Sequence, residues 1–248
     1  PYPGIWVASI IPVFFYVRSL RRHPGPHDRK KTVFFVAGMF VFWLASDWPL
    51  GALGAGYLAS AHMTQFLLYT LVSAPLLLLG TPDWMARRFL SLVRLQGAAL
   101  WFGRSLVATG LTYNAILLST HAPGTVEVLR NSQLGSFAMD VLWMVAGFLL
   151  WLPVISPLTE GRARSQFAKM GYLFVTTSVV AVIPASFLTF TSIPIYAIYE
   201  LAPRIGSLTA LEDQQLAGII MKIATVPIIW STIAVLWKRW SAEEAQLA

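Results

Sequence analysis

The chain has 248 residues, of which 56% are hydrophobic and only 12% are charged, about half the charged fraction of an ordinary soluble domain. Its 18 basic and 11 acidic residues are too few to cover the surface of a soluble protein of this length, which excludes soluble enzyme folds. The sequence has no cysteine, so any metal must be bound by His, Met, carboxylate or carbonyl groups.

Seven apolar stretches are long enough to cross the roughly 30 Å hydrocarbon core of a bilayer as helices of about 20 residues. In chain order, they cover residues 5–20, 33–50, 58–80, 95–118, 137–155, 172–199 and 216–237. Their uniform apolarity is typical of membrane helices and argues against outer-membrane strands. We therefore expect one all-α polytopic membrane domain over residues 1–248, with seven transmembrane helices.

The basic residues collect on one side of these predicted spans. Only Arg130 and Arg204 lie on the opposite side, and Arg104 and Lys222 lie within spans. The positive-inside rule then places the N-terminus outside and the C-terminus in the cytoplasm of a bacterial inner (plasma) membrane. Basic clusters between apolar runs favour anionic lipid over nucleic acid as the partner. The fourteen residues on the predicted cytoplasmic side are Arg18, Arg21, Arg22, Arg29, Lys30, Lys31, Arg87, Arg88, Arg94, Arg162, Arg164, Lys169, Lys238 and Arg239.

Four ionisable side chains fall at predicted membrane depth, where a charge costs about 2.5 to 3.5 kcal/mol on insertion scales. Arg104 and Lys222 lie near the middle of the fourth and seventh spans, and Asp47 and Asp140 lie near the outer ends of the second and fifth. One interpretation is structural pairing inside the bundle, and the other is a proton or ion path. For Lys222 we expect a carboxylate or helix carbonyls as partner, with Asp47 and Asp140 as candidates.

Two histidines fall at the predicted outer face, His62 at the start of the third span and His121 after the fourth. Imidazole with thioether suits copper, and imidazole with carboxylate suits several divalent metals. The alternative is that both rings only bind neighbouring carbonyls or headgroups. His23 and His27 lie in a cytoplasmic loop, where we expect solvated side chains. The candidate metal ligands are therefore His62, Met63, His121 and Asp140.

The sequence has no HExxH, GxSxG, Walker-type or dinucleotide-binding motif, so we do not expect an enzyme. Trp and Tyr residues gather near the ends of the predicted spans, among them Trp6 and Tyr199. Amphipathic rings at such positions are expected to lie at headgroup level.

The segment SAHMTQFLLYTLVSAPLLLLGTPDW, residues 60–84, resembles the third-helix region of the seven-helix CtaG-like cytochrome c oxidase assembly factors. That region typically reads HM, two residues, H, an apolar run and a Pro-rich end. VLWMVAGFLLWLPVISPL and LEDQQLAGIIMK are also similar to family segments, and the similarity extends from Arg29 to Trp240. The resemblance implies assembly of the copper centre of a haem-copper oxidase, with outer-face histidines as copper ligands and oxidase subunits as partners.

The chain departs from the family pattern at several positions. His62, Met63 and His121 match it, whereas Lys222 replaces a typical Trp. This leaves a second function open, a diverged structural or accessory subunit of a larger respiratory or photosynthetic membrane complex. Transport along the intramembrane charges is a third. Imidazoles expected from the family are missing at Phe66, Ser136 and Asp140.

Overall fold

The computed structural model describes residues 3–23, 25 and 28–246, so the expectation for His27 lies outside the described residues. Of the described residues, 82% are helical and none is in a strand. The predicted all-α class is therefore confirmed.

The described residues form twelve helices and one short 3₁₀ turn, Thr159–Gly161. A π-helical segment, Leu68–Ser73, lies within the fourth helix, and a second, Val175–Val179, lies within the tenth. In chain order the helices are α1 Pro3–Arg22, α2 Arg29–Ser46, α3 Leu50–Gly56, α4 Ala59–Gly80, α5 Asp83–Leu92, α6 Gln96–Arg104, α7 Leu106–Thr120, α8 Pro123–Arg130, α9 Gln133–Ile155, α10 Gln166–Phe190, α11 Ala197–Glu200 and α12 Ala210–Ala245.

Five of these helices, α1, α4, α9, α10 and α12, are long and apolar enough to cross a membrane. A sixth candidate span is formed if α2 and α3, which are bent by 47° relative to each other, count as one. The 15-residue α7 is a shorter apolar helix. The chain is therefore a membrane protein by the length and composition of its helices.

Several helices begin before the predicted apolar stretches because polar residues cap them. The Asp28 side chain accepts a hydrogen bond from the Lys30 amide and starts α2, and Ser132 starts α9 in the same way. Thr209 and Glu212 form a capping box at the start of α12. An apolar window misses these first turns because they are polar.

Two predicted boundaries are wrong because the chain breaks within an apolar stretch. The span expected at 33–50 ends at Ser46, because Asp47 adopts an extended backbone (φ −92°, ψ 175°) and Pro49, which follows, has no amide hydrogen to continue the helix. The span expected at 172–199 ends at Phe190, where a loop containing Pro194 follows. Gln214 on α12 accepts a hydrogen bond from the Ile195 amide at 2.7 Å and so satisfies a backbone donor of that loop.

The span expected at 95–118 is also interrupted. Helix α6 ends at Arg104 and α7 begins at Leu106, and the Ser105 side chain caps α7 by accepting from the Ala108 amide. Arg104 is therefore exposed at a helix break and not in the middle of a continuous span, which corrects its predicted position. Its Nε donates to the backbone carbonyl of Glu160 at 2.9 Å.

Helix α4 lies at the centre of the packing, between α2, α9 and α12. A Cβ atom at Gly147 on α9 would lie 2.8 Å from the Cα of Thr70, so only glycine permits this close approach. Trp151 then donates through Nε1 to the Thr70 carbonyl within the π-helical segment of α4. These contacts fix the helix that carries His62.

The contacts divide the molecule into two ends. At one, which we call the basic end, Arg87 pairs with Asp83 and Glu160, and the His23 ring stacks on Trp84. Hydrogen bonds from Arg87 hold the pKa of Glu160 below its ordinary value. At the other end Trp6 donates through Nε1 to Asp47 at 2.9 Å. We call this the site end, because His62 and His121 also lie there.

Candidate functional site

Two buried imidazoles lie together at the site end. His62, on the second turn of α4, and His121, directly after α7, are 1% and 4% exposed. Their ring centroids are 5.9 Å apart and their planes are nearly perpendicular, at 89°. The Trp143 ring lies 4.7 Å from that of His62, and the Phe66 ring lies 4.8 Å from that of His121. Both imidazoles are therefore walled in by aromatic rings that exclude water.

The hydrogen bonds of His121 define which ring nitrogen carries the proton. Nδ1 lies 2.8 Å from the Leu117 carbonyl, which can only accept, so Nδ1 is the donor. In the neutral ring the lone pair is then on Nε2. Among the described residues, this buried Nε2 has no hydrogen-bond partner. His121 thus presents a free nitrogen ligand.

In His62, too, Nδ1 is held by neighbouring groups, here Tyr199 and Arg130. The Tyr199 hydroxyl lies 2.8 Å from the Gly54 carbonyl and 2.7 Å from Nδ1 of His62. Nδ1 also accepts a hydrogen bond from Arg130 Nε at 3.3 Å, so it carries the lone pair in this arrangement. A metal ion on Nε2 would require the ring proton to move to Nδ1, where the Tyr199 oxygen can accept it. The Nε2 atom of His62 is also buried and has no partner in the described part of the chain. Holding the second nitrogen of a ring in this way is typical of metal-binding histidines.

A buried cation adjoins the His62 ring. Arg130, at the end of α8, donates through Nε to Nδ1 of His62 at 3.3 Å. Its side chain is 1% exposed and pairs with Asp140 on α9 at 3.3 Å, and its guanidinium carbon lies 5.0 Å from the centroid of Trp143. Asp140 thus offsets part of the charge of Arg130.

The predicted ligands are only partly brought together. His62 and His121 meet, and Met63 is buried in the core beside His62 in sequence. Asp140 pairs with Arg130, and within the residues described no three of His, Cys, Asp or Glu group in a metal-binding arrangement. Asp47 accepts from Trp6 at the end of α2. The site thus centres on two imidazoles, and not on three or more ligands of the imidazole and carboxylate types.

Lys222 is placed differently from the expectation. It is half-buried on α12, and its Nζ lies 5.4 Å from the centroid of the Phe190 ring. In the part of the chain that the structure describes, neither Asp47 nor Asp140 pairs with it. The physical reason is depth, because both carboxylates lie at the site end and Lys222 is nine residues further along α12 than Asp213.

The site also contains four residues that the sequence analysis did not identify as part of it: Arg130, Tyr196, Tyr199 and Trp143. Tyr196 donates to the His121 carbonyl at 2.8 Å. Tyr199 is 3% exposed and packs beside His62, and burial raises the pKa of its hydroxyl; its depth relative to the headgroups stays a prediction. Of these four, only Arg130 could have been found from the sequence, because it is one of just two basic residues on the predicted outer side.

Comparison with known proteins identifies a family. A family model described as cytochrome c oxidase caa3 assembly factor matches residues 14–243. Neither the comparison with curated proteins nor that with solved structures finds a match. The family match covers most of the chain, so the protein belongs to the family of cytochrome c oxidase caa3 assembly factors, which confirms the resemblance seen in the sequence.

Proposed function

We propose that this caa3 assembly factor binds Cu(I) between His62 and His121 and presents it during assembly of the oxidase copper centre. The observation that carries the proposal is the pair of buried Nε2 atoms, neither of which has a partner among the described residues. Most buried polar atoms have a hydrogen-bond partner, so two such nitrogens on neighbouring rings call for a shared ligand such as a metal ion. Family membership supports the oxidase as the recipient.

The spacing of the rings fits one ion. An ion about 2.0 Å from one nitrogen of each ring allows the two ring centroids to lie up to roughly 6.3 Å apart. The observed centroid distance is 5.9 Å. Met63 would add a soft thioether, which favours Cu(I) over harder ions. Asp140, the fourth residue singled out in the sequence, would then act through Arg130 and not as a ligand.

We also infer a seven-span topology in which α2 with α3 forms one span and the short apolar α7 forms another. The asymmetry of basic residues supports an N-terminus outside the plasma membrane and a cytoplasmic C-terminus. Arg104 joins the basic end through its contact with Glu160. The site end would face outward, toward the copper domain of an oxidase. The partners would be oxidase subunits and membrane lipids.

This function requires metal binding and release but no bond-making or bond-breaking step. Assembly factors are generally non-catalytic, and the described site has no nucleophile activated by a base. His62 and His121 would hold the ion, Tyr199 and the Leu117 carbonyl would orient the rings, and Phe66 and Trp143 would exclude water.

A second candidate function is supported by Phe66, Ser136 and Asp140, where the family pattern leads us to expect imidazole. A structural or accessory subunit of a larger energy-converting membrane complex would keep the helix packing without needing these ligands. That function predicts no metal binding.

Titration of the purified protein with Cu(I), in competition with a chromophoric chelator, distinguishes the two candidate functions. We expect one Cu(I) per chain, lost in His62→Leu and in His121→Leu. His23→Leu is the matched control, since His23 stacks on Trp84 at the basic end. Cu(I) binding that is absent, or equal in all four proteins, would favour the structural subunit.

A further inference from the structure

We propose that Arg130 makes the site selective for a singly charged metal ion over a doubly charged one. The inference rests on the proposed Cu(I) function and assigns a specificity-determining role to a residue that the site's ligands do not include. Arg130 does not bind the ion. It acts through its charge.

The position of Arg130 brings this charge close to the imidazole pair. Its Nε lies 3.3 Å from Nδ1 of His62, and its guanidinium carbon lies 5.0 Å from the Trp143 ring, which itself contacts His62. The side chain is 1% exposed, so water screens it little.

Repulsion between Arg130 and a bound ion doubles when the charge of the ion doubles. A divalent ion such as Zn²⁺ also needs about four ligands in a structural site, whereas in the described residues no three His, Cys, Asp or Glu residues group together. Both the charge of Arg130 and the small number of ligands therefore disfavour divalent ions. Arg130 also competes for Nδ1 of His62, which opposes every metal equally and leaves the ratio of affinities unaffected.

Asp140 determines how much of this charge the ion experiences. Its carboxylate pairs with the Arg130 guanidinium at 3.3 Å and offsets part of the repulsion. Removing the negative partner should therefore increase selectivity, and removing the positive one should decrease it. A merely structural ion pair would give effects of the same sign for both changes.

The test measures the affinities of the purified full chain for Cu(I) and for Zn²⁺, each by chelator competition, and takes their ratio. Arg130→Gln should lower the preference for Cu(I) roughly tenfold, mainly through tighter Zn²⁺ binding. Arg130→Lys keeps the charge and should keep the preference. Asp140→Asn should raise it. Arg204→Gln is the matched control, because Arg204 is an exposed arginine bound to the Glu200 carbonyl.

The outcomes separate this inference from the proposed function. If the unmodified protein binds Cu(I) through both histidines but the ratio in Arg130→Gln changes less than twofold, the charge-selection inference is overturned alone. If the unmodified protein binds neither ion, both proposals fail. If Arg130→Gln does not fold, Asp140→Asn decides by itself: a raised ratio supports the inference, and an unchanged ratio overturns it.

Discussion

The two ends of the bundle use charge in opposite ways. At the site end, Arg130 and Asp140 form a pair beside two imidazoles, with the arginine fully enclosed and the carboxylate 20% exposed. At the basic end, Arg87 pairs with Asp83 and Glu160 while its side chain is 40% exposed. Buried charges lose hydration and depend on each other, whereas exposed ones exchange partners with water at little cost. The site end should therefore be sensitive to single substitutions and the basic end tolerant of them.

The largest expected effect follows from leaving Arg130 without its partner. Asp140→Ala should lower the free energy of unfolding by about 3 kcal/mol, because a buried cation remains uncompensated. Reversible unfolding in mixed detergent micelles, followed by tryptophan fluorescence, measures this loss. Glu160→Ala at the basic end is the matched control and should have a far smaller effect. Equal losses for the two variants would remove the contrast between the ends.

A second comparison concerns two acidic residues in the first turn of α12. Asp213 is buried and accepts hydrogen bonds from the Ala59 amide at 2.6 Å and from the Ser60 hydroxyl, so it caps α4. Asp213→Ala should cost about 2 kcal/mol, since buried backbone donors lose their acceptor. Glu212→Ala, in the exposed capping box, is the control and should lower the free energy of unfolding much less in the same assay. A larger loss for Glu212→Ala would contradict the assignment.

A third expected effect concerns the Tyr199 hydroxyl between His62 and the Gly54 carbonyl. Tyr199→Phe keeps the ring and should cost about 1 kcal/mol, the net value of a typical hydrogen bond. It should also weaken Cu(I) binding several-fold, because His62 loses the group that fixes its orientation. Tyr57→Phe, at an exposed tyrosine, should change neither quantity. Unaltered Cu(I) affinity in Tyr199→Phe would show that this hydrogen bond does not orient the ligand.

The smallest expected effect is a pH dependence at the basic end. Arg87 lowers the pKa of Glu160 in the folded protein, so the pair contributes stability above the unfolded pKa of that carboxyl. The contribution should disappear as the pH falls through the lowered pKa. The difference in stability between the unmodified protein and Glu160→Gln, measured from neutral pH downward, tests this sign. High salt should reduce the difference at neutral pH, since exposed charges are screened. A difference that grows on acidification would contradict it.

The sequence predicted the helices better than their breaks. Apolar length located α1, α4 and α9 because membrane helices of this type need no polar periodicity. It missed the interruptions at Ser105 and after Phe190 because Ser, Thr and isolated Pro residues carry little weight in an apolar window. Arg104 was misplaced for that reason.

The site was predictable only in part. His62 and His121 were identified because polar side chains in apolar surroundings are conspicuous. Tyr199 and Trp143 were not, since aromatic residues are ordinary in membrane proteins and only packing shows which of them are buried beside a histidine. The pairing of Asp140 with Arg130 depends on how α8 folds back against α9, which no local pattern in the sequence indicates.

X-ray absorption spectroscopy of the Cu(I)-loaded protein tests the central claim most directly, because it reports the ligands of the ion itself. We predict two imidazole nitrogens in the first coordination shell, unchanged in His23→Leu, and no two-imidazole copper signal in His121→Leu. A sulfur atom in addition would indicate a thioether ligand, and its loss in Met63→Leu would assign it to Met63. A spectrum without imidazole scattering, or one unchanged by His121→Leu, would contradict the assignment of His62 and His121 as the copper site.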